Sequence, residues 1–366
     1  MASPSLHTAG SGGAHLADLP IELDLGDLVP SFVPPERFSD ASFDSYLPSP
    51  SYPSQSAAVD RLRRFSASLD ARPAGALGRL KSVLSPRRVP GPTGLYLDGG
   101  FGVGKTHLLA ATYHATDVPR VYLSLAELAQ TIVRMGLAAS VEQFRRYRLV
   151  CVDEFELDDV AGTRMAAAFL RGLWAPGADA RVVVTSNTLP SDLGRGRFSA
   201  EDFAREIGEI AAGFEVVQIE GEDYRHRATS LAPEDCCVLT PSDLRARHAG
   251  HEASTGAKIL VSHHDLLAYL STLHPIHYGQ LAKQIDALFV DGLGPIRDQD
   301  AALRFVHLVD KVYDRRVRLF VSAQLPLEGI FPADYRHGSY ARKYGRCLSR
   351  LHELLAESAY TSYQTT

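Results

Sequence analysis

Cysteine is scarce in this chain of 366 residues; the four are Cys151, Cys236, Cys237 and Cys347. Two are adjacent and none forms a C-x-x-C pair, which argues against both a disulfide framework and a thiolate zinc site. Cys151 lies inside the apolar run Leu149-Val150-Cys151-Val152 and reads as a buried thiol, in keeping with a reducing, cytoplasmic location. No apolar run reaches the ~18 residues that a membrane-spanning helix needs. Lys and Arg are missing from the first 36 residues, where Asp18, Glu22, Asp24, Asp27 and Glu36 stand instead. Neither a secretory n-region nor an Arg-rich mitochondrial presequence is therefore expected. A basic block is missing too, and the formal net charge is −5, so nucleic acid is not an expected partner on charge grounds. A guanine-reading N-K-x-D is also lacking, which leaves GTP without a signature.

What is present is more telling. Gly99 to Thr106 reads GGFGVGKT and follows the apolar run Leu95-Tyr96-Leu97. It fits the phosphate-binding pattern G-x-x-x-x-G-K-[ST], with Gly99, Gly104, Lys105 and Thr106 in register. Glycines let successive N–H groups converge on one point, a nest for phosphate oxygens. The helix that follows (Leu108, Leu109, Ala111, Ala115) adds the positive end of its dipole. Lys105 reaches the β- and γ-phosphates, and Thr106 offers its hydroxyl to Mg²⁺. Gly100, Phe101, Gly102, Val103 and His107 complete the expected contacts to ATP.

Three further features belong with that loop. Asp153 and Glu154 end the run Leu149 to Val152, at a strand tip where a P-loop enzyme needs its acids. Asp153 is expected to hold Mg²⁺ through water, and Glu154 to orient and polarise the attacking water. Asn187 ends the strand Arg181 to Thr185 and is placed to position water against the γ-phosphate. Arg197 and Arg205 are candidates for a guanidinium supplied in trans, which would stabilise charge on the transferring phosphoryl group.

Strands are expected at Gly94 to Leu97, Arg120 to Leu123, Arg148 to Val152, Arg181 to Thr185 and Phe214 to Ile219, with helical stretches between them. That alternation implies an α/β fold with a mainly parallel sheet, whose ligands gather at the carboxyl ends of the strands. Four regions follow: a disordered tail over 1–30, an N-terminal extension and helix over 31–90, a P-loop core over 91–230, and a C-terminal α/β region over 231–366. The extension carries Phe32, Phe38, Phe43, Tyr46 and Tyr52 and either packs across the surface or clamps the adenine. Its helix, from Ala57 to Leu84, is marked by Val59, Leu62, Phe65 and Leu69.

The C-terminal region echoes the core. Val121-Tyr122-Leu123-Ser124 is answered 138 residues later by Ile259-Leu260-Val261-Ser262, and Leu149 to Asp153 by Ala287 to Asp291 at the same offset. The equivalent of the phosphate loop, Cys237 to Leu244, has no such pattern. Either this is a degenerate repeat that no longer hydrolyses, or two βαβ units simply look alike. Asp291 is followed by Gly292 and is not expected to be catalytic.

The stretches 37–59, 94–109, 150–165, 182–193 and 346–360 together resemble the ZapE family of cell division ATPases and its mitochondrial relatives. The resemblance spans about Pro34 to Tyr360. It implies an AAA+/RecA-like P-loop NTPase that couples Mg²⁺-ATP hydrolysis to remodelling of a protein partner, in bacteria the FtsZ-linked division machinery, and it leaves room for a homo-oligomer. It also implies that Arg346 and Arg350 act as a second phosphate sensor and that Phe38 to Tyr46 lie near the nucleotide. The stretch GRGRFSAEDFAREI departs from the family pattern and leaves the trans arginine open. A nucleic-acid translocase or loader is the alternative; it would need a basic, aromatic-lined groove. A nucleoside kinase would need an acceptor site and a lid.

Overall fold

A computed structural model describes residues 15–20, 29, 32–70, 93–157, 160–189, 204–222, 238–254, 256–323, 325–338 and 340–364. They fall into two compact units, one of residues 24–230 and one of residues 1–23 with 231–366.

In the first unit, helix α1 (Pro53–Asp70) precedes strand β1 (Gly94–Gly99), the loop, and α2 (Lys105–His114). There follow β2 (Arg120–Ser124), α3 (Leu125–Met135), α4 (Leu137–Phe144), β3 (Leu149–Asp153), α5 (Val160–Leu173), β4 (Arg181–Ser186), α6 (Ala204–Ala212) and β5 (Phe214–Ile219). The five strands form one parallel sheet in the order β2-β3-β4-β1-β5. β3 is buried at every position and β4 at all but its first, as strands covered on both faces must be. β5, at the edge, exposes Val216 and Gln218 while burying Phe214, Val217 and Ile219.

β1 runs two residues beyond its expected end, because Asp98 and Gly99 continue the ladder to Gln218 and Ile219. A Cβ on Gly99 would lie 2.3 Å from the Ile219 carbonyl oxygen, so the first glycine of the loop motif is also demanded by strand pairing. α1 starts four residues before its expected beginning, with Pro53 in the first turn where its missing N–H costs nothing. It buries Ala58, Val59, Leu62, Phe65 and Leu69. A bidentate pair from Arg61 to Glu215 (2.7 and 2.6 Å) ties it to β5. Its expected continuation past Asp70 lies outside the described residues.

The second unit contains α7 (Pro241–Gly250), β6 (Ala257–Ser262), α8 (His263–Thr272), α9 (Tyr278–Lys283), β7 (Ile285–Leu293), α10 (Gln299–Asp314), β8 (Arg318–Ala323) and α11 (Ala341–Gln364). Its sheet is parallel in the order β6-β7-β8, the order and direction of β2-β3-β4. Leu239 adds one parallel bridge to Ser322 on β8, as Leu97 of β1 pairs with Thr185 of β4. The core gathers Leu266, Leu270, Leu288, Val290, Phe305, Val309, Leu319 and Leu351. Residues 15–20 depart from the expected disordered tail. Leu16 is buried in this core, and the Gln284 side chain donates to the Pro20 carbonyl at 2.7 Å. Apolar Leu16 and Leu19 are the physical reason, since both pack against apolar neighbours.

Candidate nucleotide site

β1 delivers the chain to a loop in which Gly102 and Gly104 take φ of +67° and +89°. Only glycine adopts such values without strain, and here they let the backbone turn back towards the start of α2. Lys105 opens that helix with its side chain nearly buried. Its Nζ donates to the Gly99 carbonyl (2.8 Å), the Gly100 carbonyl (2.6 Å) and Asn187 Oδ1 (2.8 Å). Val103 is buried and Phe101 is partly exposed at the loop.

Thr106 and Asp153 meet directly. The Thr106 hydroxyl donates to Asp153 Oδ1 at 3.3 Å. Tyr122 on β2 donates to Oδ2 at 2.9 Å, and Thr185 on β4 donates to Oδ1. Burial, and after it the charge of Glu154, push the Asp153 carboxyl above its ordinary value, while the three hydroxyls pull it back. A carboxyl in that position gains its charge most readily beside a cation. The donors are hard oxygens at the phosphate loop, the chemistry that Mg²⁺ takes. No described group of three His, Cys, Asp or Glu side chains could hold a metal alone. Phosphate oxygens and water must complete its shell, the usual arrangement for this ion.

Glu154 sits at φ +54°, a left-handed value that costs a non-glycine residue about 1–2 kcal/mol. Its N–H is held by Asp153 Oδ1 (3.1 Å) and Thr185 Oγ1 (3.0 Å). The turn continues as Phe155 N–H donates to the Thr185 carbonyl (2.7 Å) and Glu156 N–H to the Glu154 carbonyl (2.7 Å). Glu156 then accepts from Asn187, so Asn187 lies between Lys105 and Glu156. Glu156, Tyr122 and Thr185 were not singled out from the sequence. Tyr122 and Thr185 occupy ordinary strand positions, and only the sheet register brings them to Asp153.

The N-terminal extension lies along the loop and α2. The Tyr46 hydroxyl donates to the Val103 carbonyl at 2.8 Å, and a Cβ on Gly104 would meet the Tyr46 ring at 2.6 Å. His107 Nε2 stands 3.0 Å from the Ser42 carbonyl and 3.0 Å from Ser45 Oγ. The carbonyl can only accept, so Nε2 carries the proton. His114 Nε2 is 3.0 Å from the Phe38 carbonyl. The side chain of His107 thus faces the extension.

Arg205 is highly exposed on α6, with Glu206 (3.4 Å) and Glu209 (3.8 Å) as ion-pair partners. Arg197 lies outside the described residues. Arg346 and Arg350 on α11 both bind Asp310 of α10, Arg346 at 2.9 Å.

The second unit carries a copy of the acid turn. Ser322 on β8 donates to Asp291 Oδ1 at 2.6 Å, as Thr185 does to Asp153. Gly292 has φ +73° and gives its N–H to Ser322 Oγ at 2.8 Å, as Glu154 does to Thr185. Arg245 from α7 reaches Asp291 Oδ2 at 2.9 Å, a fixed cation beside the acid. The sequence entering α7 has no phosphate-loop pattern, and Thr240 caps the helix, accepting from the Asp243 N–H at 3.2 Å.

Residues 34–249 and 239–362 match the family model of the AFG1-like ATPases. Cell division protein ZapE of Escherichia coli K12 is 26% identical over 306 residues, with 72% of this chain and 78% of that protein covered. Lactation elevated protein 1 homolog B of Danio rerio is 22% identical over 302 residues, with 69% of this chain and 59% of that protein covered. Among solved structures, AMPPCP-bound DnaA from Aquifex aeolicus gives a TM-score of 0.36 at 13% identity, covering 58% of this chain and 61% of that one. So low a score adds nothing to the family match. With the phosphate loop, its acids and most of each unit inside the matched spans, the chain belongs to the AFG1-like ATPase family and is a P-loop ATPase.

Proposed function

We propose that the chain hydrolyses Mg²⁺-ATP at the loop of Gly99 to Thr106 and uses the cycle to remodel a protein partner of the bacterial division machinery, FtsZ above all. The observation that carries the chemistry is the 3.3 Å contact between Thr106 and Asp153, beside the Lys105 ammonium. Mg²⁺ bound there supplies charge neutralisation at the phosphate oxygens. The loop amides from Gly99 to His107 would grip the phosphates, and Lys105 would pair with their oxygens. Glu154 accepts the proton of the attacking water, and Asn187 holds that water against the γ-phosphate. Arg205 or Arg197 enters from a second copy of the chain; the exposure of Arg205 suits that role. No covalent intermediate is needed, because positioning and charge carry phosphoryl transfer.

The division role rests on the printed name of the bacterial relative, cell division protein ZapE, and the choice of FtsZ on the family resemblance of the sequence. Among the described residues no helix is long and apolar enough to cross a membrane. The test is an ATPase assay with and without purified FtsZ polymers, reading turnover and polymer length together. Polymer-stimulated turnover with ATP-dependent shortening supports the proposal. Turnover and polymer length both indifferent to mixing would refute the FtsZ assignment while leaving the ATPase chemistry intact.

A further inference from the structure

We propose that Glu156 is a positioning residue for hydrolysis: it fixes which way the Asn187 amide faces. The inference rests on the reading of Asn187 as the residue that holds the attacking water. The tight turn after β3 swings Glu156 across the end of β4. Phe155, buried and edge-on to Tyr96 at 6.3 Å, anchors that turn. Tyr96 itself donates to the Thr188 carbonyl at 2.7 Å, which pins the receiving segment.

Four donors from three consecutive residues converge on the Glu156 carboxylate. Oε1 accepts the Asn187 backbone N–H at 2.6 Å, Asn187 Nδ2 at 3.1 Å and the Ser186 hydroxyl at 3.2 Å. Oε2 accepts the Thr188 hydroxyl at 3.3 Å. An ionised carboxylate only accepts, so the Asn187 side chain must turn its NH₂ towards Glu156. Its Oδ1 is thereby aimed at the Lys105 ammonium, 2.8 Å away. An amide is nearly symmetric in shape, and its two orientations differ only in which hydrogen bonds they make. Turned the other way, the amide would set its N–H groups against the Lys105 ammonium and its oxygen against the Glu156 carboxylate. Glu156 removes that wrong state, and one N–H of the Asn187 NH₂ group is left for the water and the γ-phosphate.

The experiment compares ATPase kinetics of Glu156→Ala, Glu156→Gln, Asn187→Ala and the double Ala variant, each first matched to the parent by thermal melt. Glu156→Ala should lower kcat by on the order of tenfold, with KM for ATP changed less than about threefold, since the amide acts after ATP is bound. Glu156→Gln should restore most of the loss, because one amide oxygen can still accept both Asn187 donors. The double variant should be no slower than Asn187→Ala, as two members of one relay are not additive. A parental kcat in Glu156→Ala, a Glu156→Gln as slow as Glu156→Ala, or an additive fall in the double variant each overturns the proposal. A parental rate in Asn187→Ala marks a different failure: the water-holding role of Asn187 falls, and the positioning role goes with it.

Discussion

Lys105 illustrates how much a single side chain does here. It is buried at the start of α2 and holds two loop carbonyls and Asn187. Lys105→Ala should therefore abolish measurable ATP binding in an equilibrium titration with a fluorescent analogue. Glu154→Gln should do the reverse, keeping ATP bound while turnover falls by on the order of 10² or more, the usual cost of a lost general base. An unchanged rate in Glu154→Gln would remove it as the base. Tyr46 acts on the same loop from outside, and Tyr46→Phe deletes one hydrogen bond to Val103, worth about 1 kcal/mol. The expected result is a KM for ATP raised several-fold at a nearly constant kcat. The loop motif and the acids were legible in the sequence because each sits at a fixed spacing from an apolar run. Tyr46 was legible only through the family resemblance, because an aromatic in a Pro- and Ser-rich stretch has no spacing of its own that ties it to a loop 57 residues away.

At the scale of elements, strand pairing explains a glycine that the motif alone assigns to phosphate. Gly99 abuts the Ile219 carbonyl, so Gly99→Ala should lower the melting midpoint as well as nucleotide affinity, with overpacking costing about 1–3 kcal/mol. An Ala variant that lost only affinity would make the pairing argument wrong. The α10–α11 contact supplies a second case. Burial pushes the Asp310 carboxyl up, but Arg346 and Arg350 overcome it and hold it well below its ordinary value of 3.8. A carboxyl depressed in the folded state stabilises fully above its unfolded value, and the benefit is lost as pH falls through the folded one. Acid unfolding below about pH 4 should thus be less steep in Asp310→Asn. That variant should also be destabilised at neutral pH, because two guanidiniums keep no anionic partner. The family resemblance suggested these arginines as a phosphate sensor; their shared partner in the structure is Asp310. Parallel strands were legible from uninterrupted apolar runs, whereas element ends were not, since pairing with a distant strand decides them.

For the whole molecule, the two sheets among the described residues share one design, but the phosphate-loop pattern stands only in the first unit's sequence. The second unit retains the acid turn of Asp291, Gly292 and Ser322, with Arg245 where a bound cation would otherwise balance the acid. The 138-residue offset read from sequence corresponds to matching strand order and the same left-handed turn, and the hydroxyls that bind the two acids, Thr185 and Ser322, match with one residue of slip. The Ser322 and Arg245 contacts had no sequence signal, because they join residues dozens of positions apart. Nucleotide binding should accordingly saturate at one ATP per chain by isothermal titration, and a second saturable site surviving in Lys105→Ala would contradict this. The family resemblance drawn from five short stretches is borne out by the match across both units. The most direct measurement on the central claim is the Mg²⁺ dependence of ATP affinity in the parent, Thr106→Val and Asp153→Asn. The account predicts that Mg²⁺ tightens ATP binding by at least tenfold, about 1.4 kcal/mol, in the parent and by far less in both variants. Equal tightening in all three would contradict a cation held between Thr106 and Asp153.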